Sequence, residues 1–190
     1  MPAERPVHIW LEDEHRYGLI SVVRRCWTVR GHRPTAPYQA KYQWGYIYGA
    51  ADVVTGEAEF LYTPTVSFKW TSEFLEQLSV TDPKAIHIVI WDRAGFHPKA
   101  ESRQLAAAMR VLPLPAYSPE LNPMESLWDQ VKRRTANETW ETLETMEAAI
   151  SEVLEPLWTQ VAAVRSLLGD TWLTRSTATF LERRKSLISN

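Results

Sequence analysis

The run His87-Ile88-Val89-Ile90-Trp91, followed directly by Asp92, decides the fold class of this 190-residue chain. A short continuous apolar run of this kind is typical of a strand that is buried on both faces of a sheet. Apolar residues at helical spacing precede it from Trp70 to Leu78, and Ala100–Met109 predicts a helix after it, before a short strand over 111–114. Because helices alternate with strands here, we expect parallel strands that are joined by crossovers.

Upstream of this run, β-prone segments predict three or four antiparallel strands that open the chain. They are Val7–Leu11, Tyr17–Val23, Gln43–Val54 and Ala58–Tyr62. Thr55-Gly56-Glu57 supplies a hairpin turn between the last two, and the basic stretch from Arg24 to Lys41 is predicted to form a loop.

Downstream, the chain turns helical. Asn122 is predicted to cap a helix that has Pro123 at its first position, the favoured arrangement. A second amphipathic helix carries Leu143 to Val153, and Pro156 is expected to break or kink it. A further helix is expected to end near Gly169. The pattern predicts an α/β domain with a mixed sheet.

Composition places the chain among soluble globular proteins, with 45% hydrophobic and 23% charged residues. No apolar run approaches the roughly 20 residues that a membrane-spanning helix needs. The single cysteine, Cys26, excludes an internal disulfide, and we expect a cytoplasmic protein. Since the formal net charge is −2, any basic surface for DNA must be local.

Acidic residues stand where strands and helices begin or end. The cluster Glu12-Asp13-Glu14 follows the first predicted strand, Asp92 follows the buried run, and Glu125 lies in the first turn of the predicted helix. Ligands of α/β proteins gather at the carboxyl ends of parallel strands. Carboxylates suit hard divalent cations, and two Mg²⁺ ions about 3.5–4 Å apart support displacement at phosphorus.

Each acid also has a purely structural interpretation. Asp92 could begin a turn before Ala94 and Gly95, as many strand-ending Asp residues do. Glu125 lies three residues after Asn122 and could complete a capping box. Strand alternation puts Asp13 and His15 on one face and Glu12 and Glu14 on the other, without choosing between the faces.

Three segments together resemble mariner-superfamily transposases, specifically the bacterial insertion-sequence branch. Leu11-Glu12-Asp13-Glu14-His15-Arg16-Tyr17-Gly18-Leu19 resembles the first motif of this family, and Ile90-Trp91-Asp92-Arg93-Ala94-Gly95-Phe96-His97 the second. The third and most specific is Leu114-Pro115-Ala116-Tyr117-Ser118-Pro119-Glu120-Leu121-Asn122-Pro123-Met124-Glu125-Ser126-Leu127-Trp128.

The resemblance implies a ribonuclease-H-like fold: antiparallel first strands, then parallel strands, with helices on both faces. It implies that residues 1–135 form the DDE catalytic core and 136–190 a helical extension of the same domain. The implied triad is Asp13, Asp92 and Glu125, the last two 33 positions apart. They would hold Mg²⁺ or Mn²⁺, two ions per site, for DNA cleavage and strand transfer. Family members insert at TA dinucleotides and work as dimers, so a homodimer on DNA is expected.

Four further residues are candidates for supporting roles. Glu14 follows the motif acid, and His97 could contact the scissile phosphate or orient a water, although a helix-capping or surface His is the simpler interpretation. Lys132 lies seven residues after Glu125 and could meet a phosphate, or simply favour a helix C-terminus. Asn122, the predicted helix cap, is the fourth.

Basic residues interleaved with Trp27 and Tyr38 suggest a loop that contacts DNA, with a solvated irregular loop as the alternative. The candidate DNA-binding residues are Arg24, Arg25, Arg30, Arg33 and Lys41, together with Arg133 on the predicted helix.

The resemblance does not extend to recognition of transposon ends. Only twelve residues precede Asp13, too few for a helix-turn-helix module, so we expect a separate or missing N-terminal DNA-binding region. Three other hypotheses stay open. The chain could be an inactive remnant that only dimerises or binds DNA, a ribonuclease-H-like nuclease outside transposition, or a glycosidase with two flanking acids.

Overall fold

A single five-stranded sheet organises the chain, in a computed structural model that describes residues 5–98, 108–116, 118–169 and 172–188. The strands lie in the order β3-β2-β1-β4-β5. Their bounds are β1 Val7–Ile20, β2 Ala40–Asp52, β3 Ala58–Thr63, β4 Ile86–Trp91 and β5 Met109–Pro113. The helices are α1 Phe68–Thr81, α2 Met124–Thr135, α3 Leu143–Thr159, α4 Val161–Leu168 and α5 Trp172–Ile188.

The sheet is mixed, as predicted. β2 is antiparallel to both β1 and β3, whereas β4 is parallel to β1 and to β5. Most of the predicted crossover helix over 100–109 lies outside the described residues, but its end is wrong, because Met109 already begins β5, two residues before the predicted strand. None of the helices in the described ranges is long and apolar enough to cross a bilayer.

The first strand differs from the prediction. We expected two strands with a break at the acidic cluster, but β1 runs without interruption from Val7 to Ile20. The physical reason is its antiparallel partner: β2 pairs with β1 from Trp10 to Gly18 and so holds the acidic cluster in extended conformation. The parallel partner β4 pairs only with Val7–Leu11. Glu12 to Glu14 therefore still lie at the carboxyl edge of the parallel pair.

Helices cover both faces of the sheet. Phe74, Leu75 and Leu78 of α1 pack with Trp10 and other buried residues of the central strands on one face. On the other face, α2 and α3 cover the odd-numbered residues of β1 with the side chains of Met124, Leu127, Trp128, Val131 and Ile150. Burial of these large apolar side chains, each worth about 1.5–3 kcal/mol, holds α2 against β1.

Gly49 of β2 allows α2 to approach this closely. A Cβ atom at this position would lie 2.8 Å from the Trp128 ring and 3.0 Å from both the Met124 methyl group and Phe60. Gly49 pairs with Asp13 across the β1–β2 ladder. The missing side chain therefore leaves room for Trp128 directly beside the predicted catalytic acid.

The C-terminal helices follow the prediction with one correction. α3 does not break at Pro156 but continues to Thr159, and α4 begins at Val161. Since Pro156 lies in the last turn, the single backbone hydrogen bond that it removes costs little there. α4 ends at Leu168, and Gly169 is its C-cap as predicted, with a positive φ of 57° that suits glycine.

Candidate active site

A cavity of about 410 Å³ opens where β1, β4 and the start of α2 meet. Asp13, Asp92 and Glu125 all line it, so three acids that are far apart in the sequence converge as the motif resemblance implies. The remaining wall includes Arg93, Leu114, Ser118, Pro119 and Asn122. The arrangement gives one open, acidic cavity at the carboxyl edge of the parallel strands.

Asp13 is the most buried member of the triad. Its Oδ2 accepts a hydrogen bond of 3.0 Å from the Trp128 indole N–H. Burial raises the pKa of Asp13 to about 7, and the negative charges of Glu125 and Glu14 add to the shift. A cation beside these carboxylates would oppose that shift, because it favours the ionised form.

Asp92 follows the last residue of β4 and leaves 59% of its side chain exposed. Its Oδ1 accepts a hydrogen bond of 2.7 Å from the Ala94 N–H. The alternative that Asp92 begins a turn is thus correct, because this contact to Ala94 starts one. The same side chain also lines the cavity.

Asn122 sets the position of Glu125. Its side-chain amide donates to the Glu12 carbonyl at 2.9 Å, and its Oδ1 accepts from the Met124 N–H at 3.1 Å. Asn122 thus ties the start of α2 to β1, but the N-cap position belongs to Pro123 and the helix begins at Met124, so the predicted cap and first helical residue are each wrong by one position. The capping-box interpretation of Glu125 is wrong, because the Asn122 N–H is donated to the Pro119 carbonyl.

His97 lies on the other face of β1, beside Glu12 and Glu14. Its Nε2 is 2.8 Å from Glu14 Oε1, and its ring stacks on Trp91 at 4.2 Å. Only 4% of its side chain is exposed, so the surface interpretation is wrong. Burial lowers the pKa of His97, but the hydrogen bond and charge of Glu14 outweigh it and raise the pKa above its ordinary value.

Glu12 was not singled out by its sequence. It is 1% exposed, and burial raises the pKa of this carboxyl well above its ordinary value, aided by the charges of Glu14 and Asp13. Strand alternation predicted that Glu12 and Glu14 share one face of β1, and both lie beside His97 on that face. Asp13 and His15 lie on the other face, where both contact Trp128. Alternation along β1 could not predict that the Glu12 side chain is closed to solvent.

Residues 8–147 match the sequence model of the family described as DDE superfamily endonuclease. The chain belongs to this family. The match spans the sheet except for Val7, together with α1, α2 and the start of α3, and it includes all three acids of the cavity.

Solved structures show that the DDE family chain has the expected ribonuclease-H-like fold. It is similar to a pre-cleavage Mos1 transpososome, with a TM-score of 0.60 and 16% identity, over 84% of this chain and 53% of that one. It is also similar to a Mos1 mariner paired-end complex with Mn, with a TM-score of 0.54 and 16% identity, over 84% of this chain and 53% of that one. At this identity the likeness concerns the fold.

A curated relative is the uncharacterized protein y4pE/y4sA of Sinorhizobium fredii (strain NBRC 101917 / NGR234). It is 30% identical over 86 residues, which are 45% of this chain and 63% of the relative. The chain thus spans less than two thirds of this relative, and about half of the Mos1 chains.

The three acids of the cavity offer a donor set that suits hard divalent cations. All three side chains are carboxylates that line open space, and oxygen ligands are those that Mg²⁺ and Mn²⁺ prefer. Among the described residues, two other groups bring three ligand atoms within 4.8 Å of one another, while the triad does not.

The predicted DNA-binding residues differ in their surroundings. Arg24 of the loop and Arg133 of α2 both contact Asp129 at 2.7 Å. Since Asp129 is also in α2, the Arg24 contact joins the loop to that helix. Lys41 donates to the Glu141 carbonyl.

Lys132 lines a separate cavity of about 310 Å³ with His15 and Trp44, so it does not face the triad. Exposed on the loop are Arg25, Arg30 and Arg33.

Replacing Trp128 by Phe tests whether the indole orients Asp13. The ring volume is largely kept, but the hydrogen bond to Asp13 Oδ2 is lost. A hydrogen bond to a charged group contributes about 1.5–3 kcal/mol, so we expect metal-dependent DNA cleavage to slow by about 10- to 100-fold. Trp140→Phe is the matched control, because the Trp140 indole donates to the Thr135 carbonyl instead. Equal cleavage rates in the two variants would remove the orienting role.

Proposed function

We propose that this chain is the catalytic domain of a DDE transposase, which cuts DNA at transposon ends and joins the freed ends to target DNA. The observation that carries the proposal is the convergence of Asp13, Asp92 and Glu125 on one cavity in a chain of the DDE endonuclease family. In this proposal the three acids are the catalytic and metal-binding residues.

Two Mg²⁺ or Mn²⁺ ions bound by the triad would activate the attacking hydroxyl or water and stabilise the charge on the leaving oxygen. The protein itself positions the acids. Trp128 fixes one oxygen of Asp13, Ala94 fixes one oxygen of Asp92, and Asn122 fixes the helix turn that carries Glu125. Such fixed geometry lowers the barrier because little reorganisation is needed at the moment of reaction.

Arg93 supplies positive charge at the cavity wall. Its Nε donates to the Leu114 carbonyl at 3.1 Å, which holds the guanidinium at the rim. A planar guanidinium held in this way can donate to phosphate oxygens in a forked geometry. We assign Arg93 to the DNA phosphate that enters the cavity, a role that the motif comparison alone did not suggest.

The loop between β1 and β2 is the proposed DNA contact outside the cavity. Ser21 and Gln39 close its base through two hydrogen bonds, Ser21 N–H to the Gln39 carbonyl and Gln39 N–H to the Ser21 hydroxyl. Beyond this closed base, Trp27 is fully exposed beside the exposed arginines of the loop. Aromatic and basic side chains together suit single-stranded or distorted DNA. A TA-containing target and a homodimer on DNA belong to the same proposal.

Strand joining is the activity that separates a transposase from its alternatives. The assay uses labelled, pre-cleaved transposon-end DNA, a supercoiled target plasmid, and Mg²⁺ or Mn²⁺. Joined products that require the metal would support the proposal. Cleavage without joining would indicate a ribonuclease-H-like nuclease outside transposition. DNA binding without either reaction, also when the chain is fused to an end-binding domain, would indicate an inactive remnant.

The three exposed loop arginines should contribute to the salt dependence of DNA binding. Each phosphate contact adds about 0.9 to the slope of log affinity against log salt concentration. Replacing Arg25, Arg30 and Arg33 by Ala should therefore reduce the slope by up to about 3. Lys69→Ala with Lys84→Ala is the control, since both lysines are exposed and lie outside the loop, in α1 and in the turn after it. An unchanged slope in the loop variant would show that the loop is merely solvated.

A further inference from the structure

Glu12, Glu14 and His97 form a second group of metal-ligating side chains, behind the triad. One ligand atom from each lies within 4.8 Å of the other two. His97 Nε2 is 2.8 Å from Glu14 Oε1 and 3.8 Å from Glu12 Oε2. Because Glu12 and Glu14 project from the face of β1 opposite to Asp13, this group is separate from the cavity of the triad.

Glu12 points to a missing ligand. Its side chain is 1% exposed, and neither carboxylate oxygen has a hydrogen-bond partner among the described residues. A buried carboxylate without a partner is costly, and buried charges in proteins are usually paired or bound to metals. The other close group, His8, Asp52 and Glu57, gives no such signal, because both Asp52 oxygens already accept hydrogen bonds.

His97 is held as metal-binding histidines usually are. Its Nδ1 lies 3.2 Å from the Asp92 carbonyl oxygen, which makes Nδ1 the donor and directs Nε2 toward the two glutamates. A ligating histidine typically donates its second N–H to a carbonyl or carboxylate, which fixes the ring. Stacking on Trp91 and edge contact with Phe96 restrict the ring further.

We propose that Glu12, Glu14 and His97 bind one divalent transition-metal ion, of the Zn²⁺ or Mn²⁺ class, in addition to the ions of the triad. Two carboxylates and a neutral imidazole would balance the charge of one dication, so the buried group as a whole becomes neutral. A mixed nitrogen and oxygen donor set favours Zn²⁺ or Mn²⁺ over Mg²⁺, which prefers oxygen and water.

The distances need only small adjustment for such an ion. Ligand bonds of about 2.1 Å in a tetrahedral site place donor atoms about 3.4 Å apart. The observed separations of 2.8 and 3.8 Å lie on either side of that value. An ion bound between His97 and Glu14 would lengthen the shorter separation by about 0.6 Å, and rotation of the Glu14 side chain would supply this change.

This ion would have a structural consequence for the catalytic cavity. Glu12 and Glu14 belong to β1, whereas His97 belongs to the segment that follows β4 and carries Asp92. A bound ion would cross-link these two segments and restrain Asp92 relative to Asp13. The inference does not depend on the proposed transposase function, because it concerns only binding and stability.

The test measures Zn²⁺ and Co²⁺ binding to the metal-stripped full chain in excess Mg²⁺, which occupies oxygen-only sites. We expect one Zn²⁺ per chain by titration calorimetry, a visible Co²⁺ absorption band typical of low coordination number, and a higher melting temperature with Zn²⁺. Glu12→Gln and His97→Gln should each weaken Zn²⁺ binding at least about tenfold, whereas Glu125→Gln, which changes only the triad, should leave it unchanged.

Folding is controlled in the same experiment. Glu12→Gln removes a buried charge without changing the side-chain volume, so the metal-free variant should melt at or above the parent temperature. The proposal is overturned by absence of Zn²⁺ binding in the parent chain. It is equally overturned by unchanged binding in both Glu12→Gln and His97→Gln, or by equal losses in Glu125→Gln.

Discussion

Asp92→Asn should reduce metal-dependent cleavage and strand joining by at least about 1000-fold. A metal ion contributes several kcal/mol of transition-state stabilisation, and each 1.4 kcal/mol changes the rate tenfold. The amide of Asn binds cations far more weakly than a carboxylate does. The fold should be kept, because the Asn oxygen can still accept the hydrogen bond from the Ala94 N–H. The measurement is a single-turnover cleavage rate on transposon-end DNA with saturating Mn²⁺.

Glu138→Gln is the control for this variant. It makes the same change of charge at an exposed residue beyond the end of α2. A loss below tenfold in Asp92→Asn would mean that Asp92 is a turn residue only. A similar loss in Glu138→Gln would mean that overall charge, not the triad, sets the rate.

Asp52→Ala should destabilise the protein by about 3–5 kcal/mol. Asp52 is fully buried and links the start of β1 to the β2–β3 turn. Its Oδ1 accepts from the Ile9 and Val54 N–H groups, and its Oδ2 accepts from the Thr55 hydroxyl and contacts His8 Nδ1 at 2.6 Å. Removal of the carboxylate leaves buried donors without acceptors, a cost beyond the lost bonds themselves.

The loss should also depend on pH. The hydrogen bond to Asp52 raises the pKa of His8, against the lowering effect of burial. Because the pKa of His8 is higher in the folded than in the unfolded state, protonation of His8 stabilises the fold. This stabilisation is complete below the unfolded-state pKa of about 6.5 and disappears as pH rises through the folded-state pKa. Urea unfolding should thus give a larger difference between wild type and Asp52→Ala at pH 6 than at pH 9. Glu57→Ala, at an exposed neighbouring carboxylate, should cost little at either pH.

The sequence was informative where local pattern and family motif agree. The apolar run before Asp92 predicted β4 within one residue, because a strand buried on both faces is apolar throughout. Asn122 and Pro123 located the start of α2 within one residue, because helix caps have local chemistry. The motif resemblance indicates Asp13 among three adjacent acids, a choice that periodicity could not make and that stays a prediction.

Contacts between distant segments explain what the sequence did not predict. β1 appeared to be two strands, since nothing local shows that β2 pairs along most of its length. The sequence placed Arg24 among the candidate residues for DNA contact, although Arg24 is bound by Asp129, 105 positions away. The burial of Glu12 depends on His97 and on the covering of its strand face, again contacts between remote positions.

Because β1 is unbroken, the face of the sheet that each of its acids occupies depends on the number of residues before it in the strand. Alternation along the strand places Asp13 at the acidic cavity and Glu12 and Glu14 on the opposite face. Deletion of one residue between Trp10 and Asp13 would move Asp13 and Glu14 to the opposite faces of β1. Deletion of two would keep their faces but shift Asp13 by about 7 Å along the strand, away from Asp92 and Glu125. The segment before Asp13 should therefore tolerate no change of length, because an odd change reverses the faces and an even one displaces the acid.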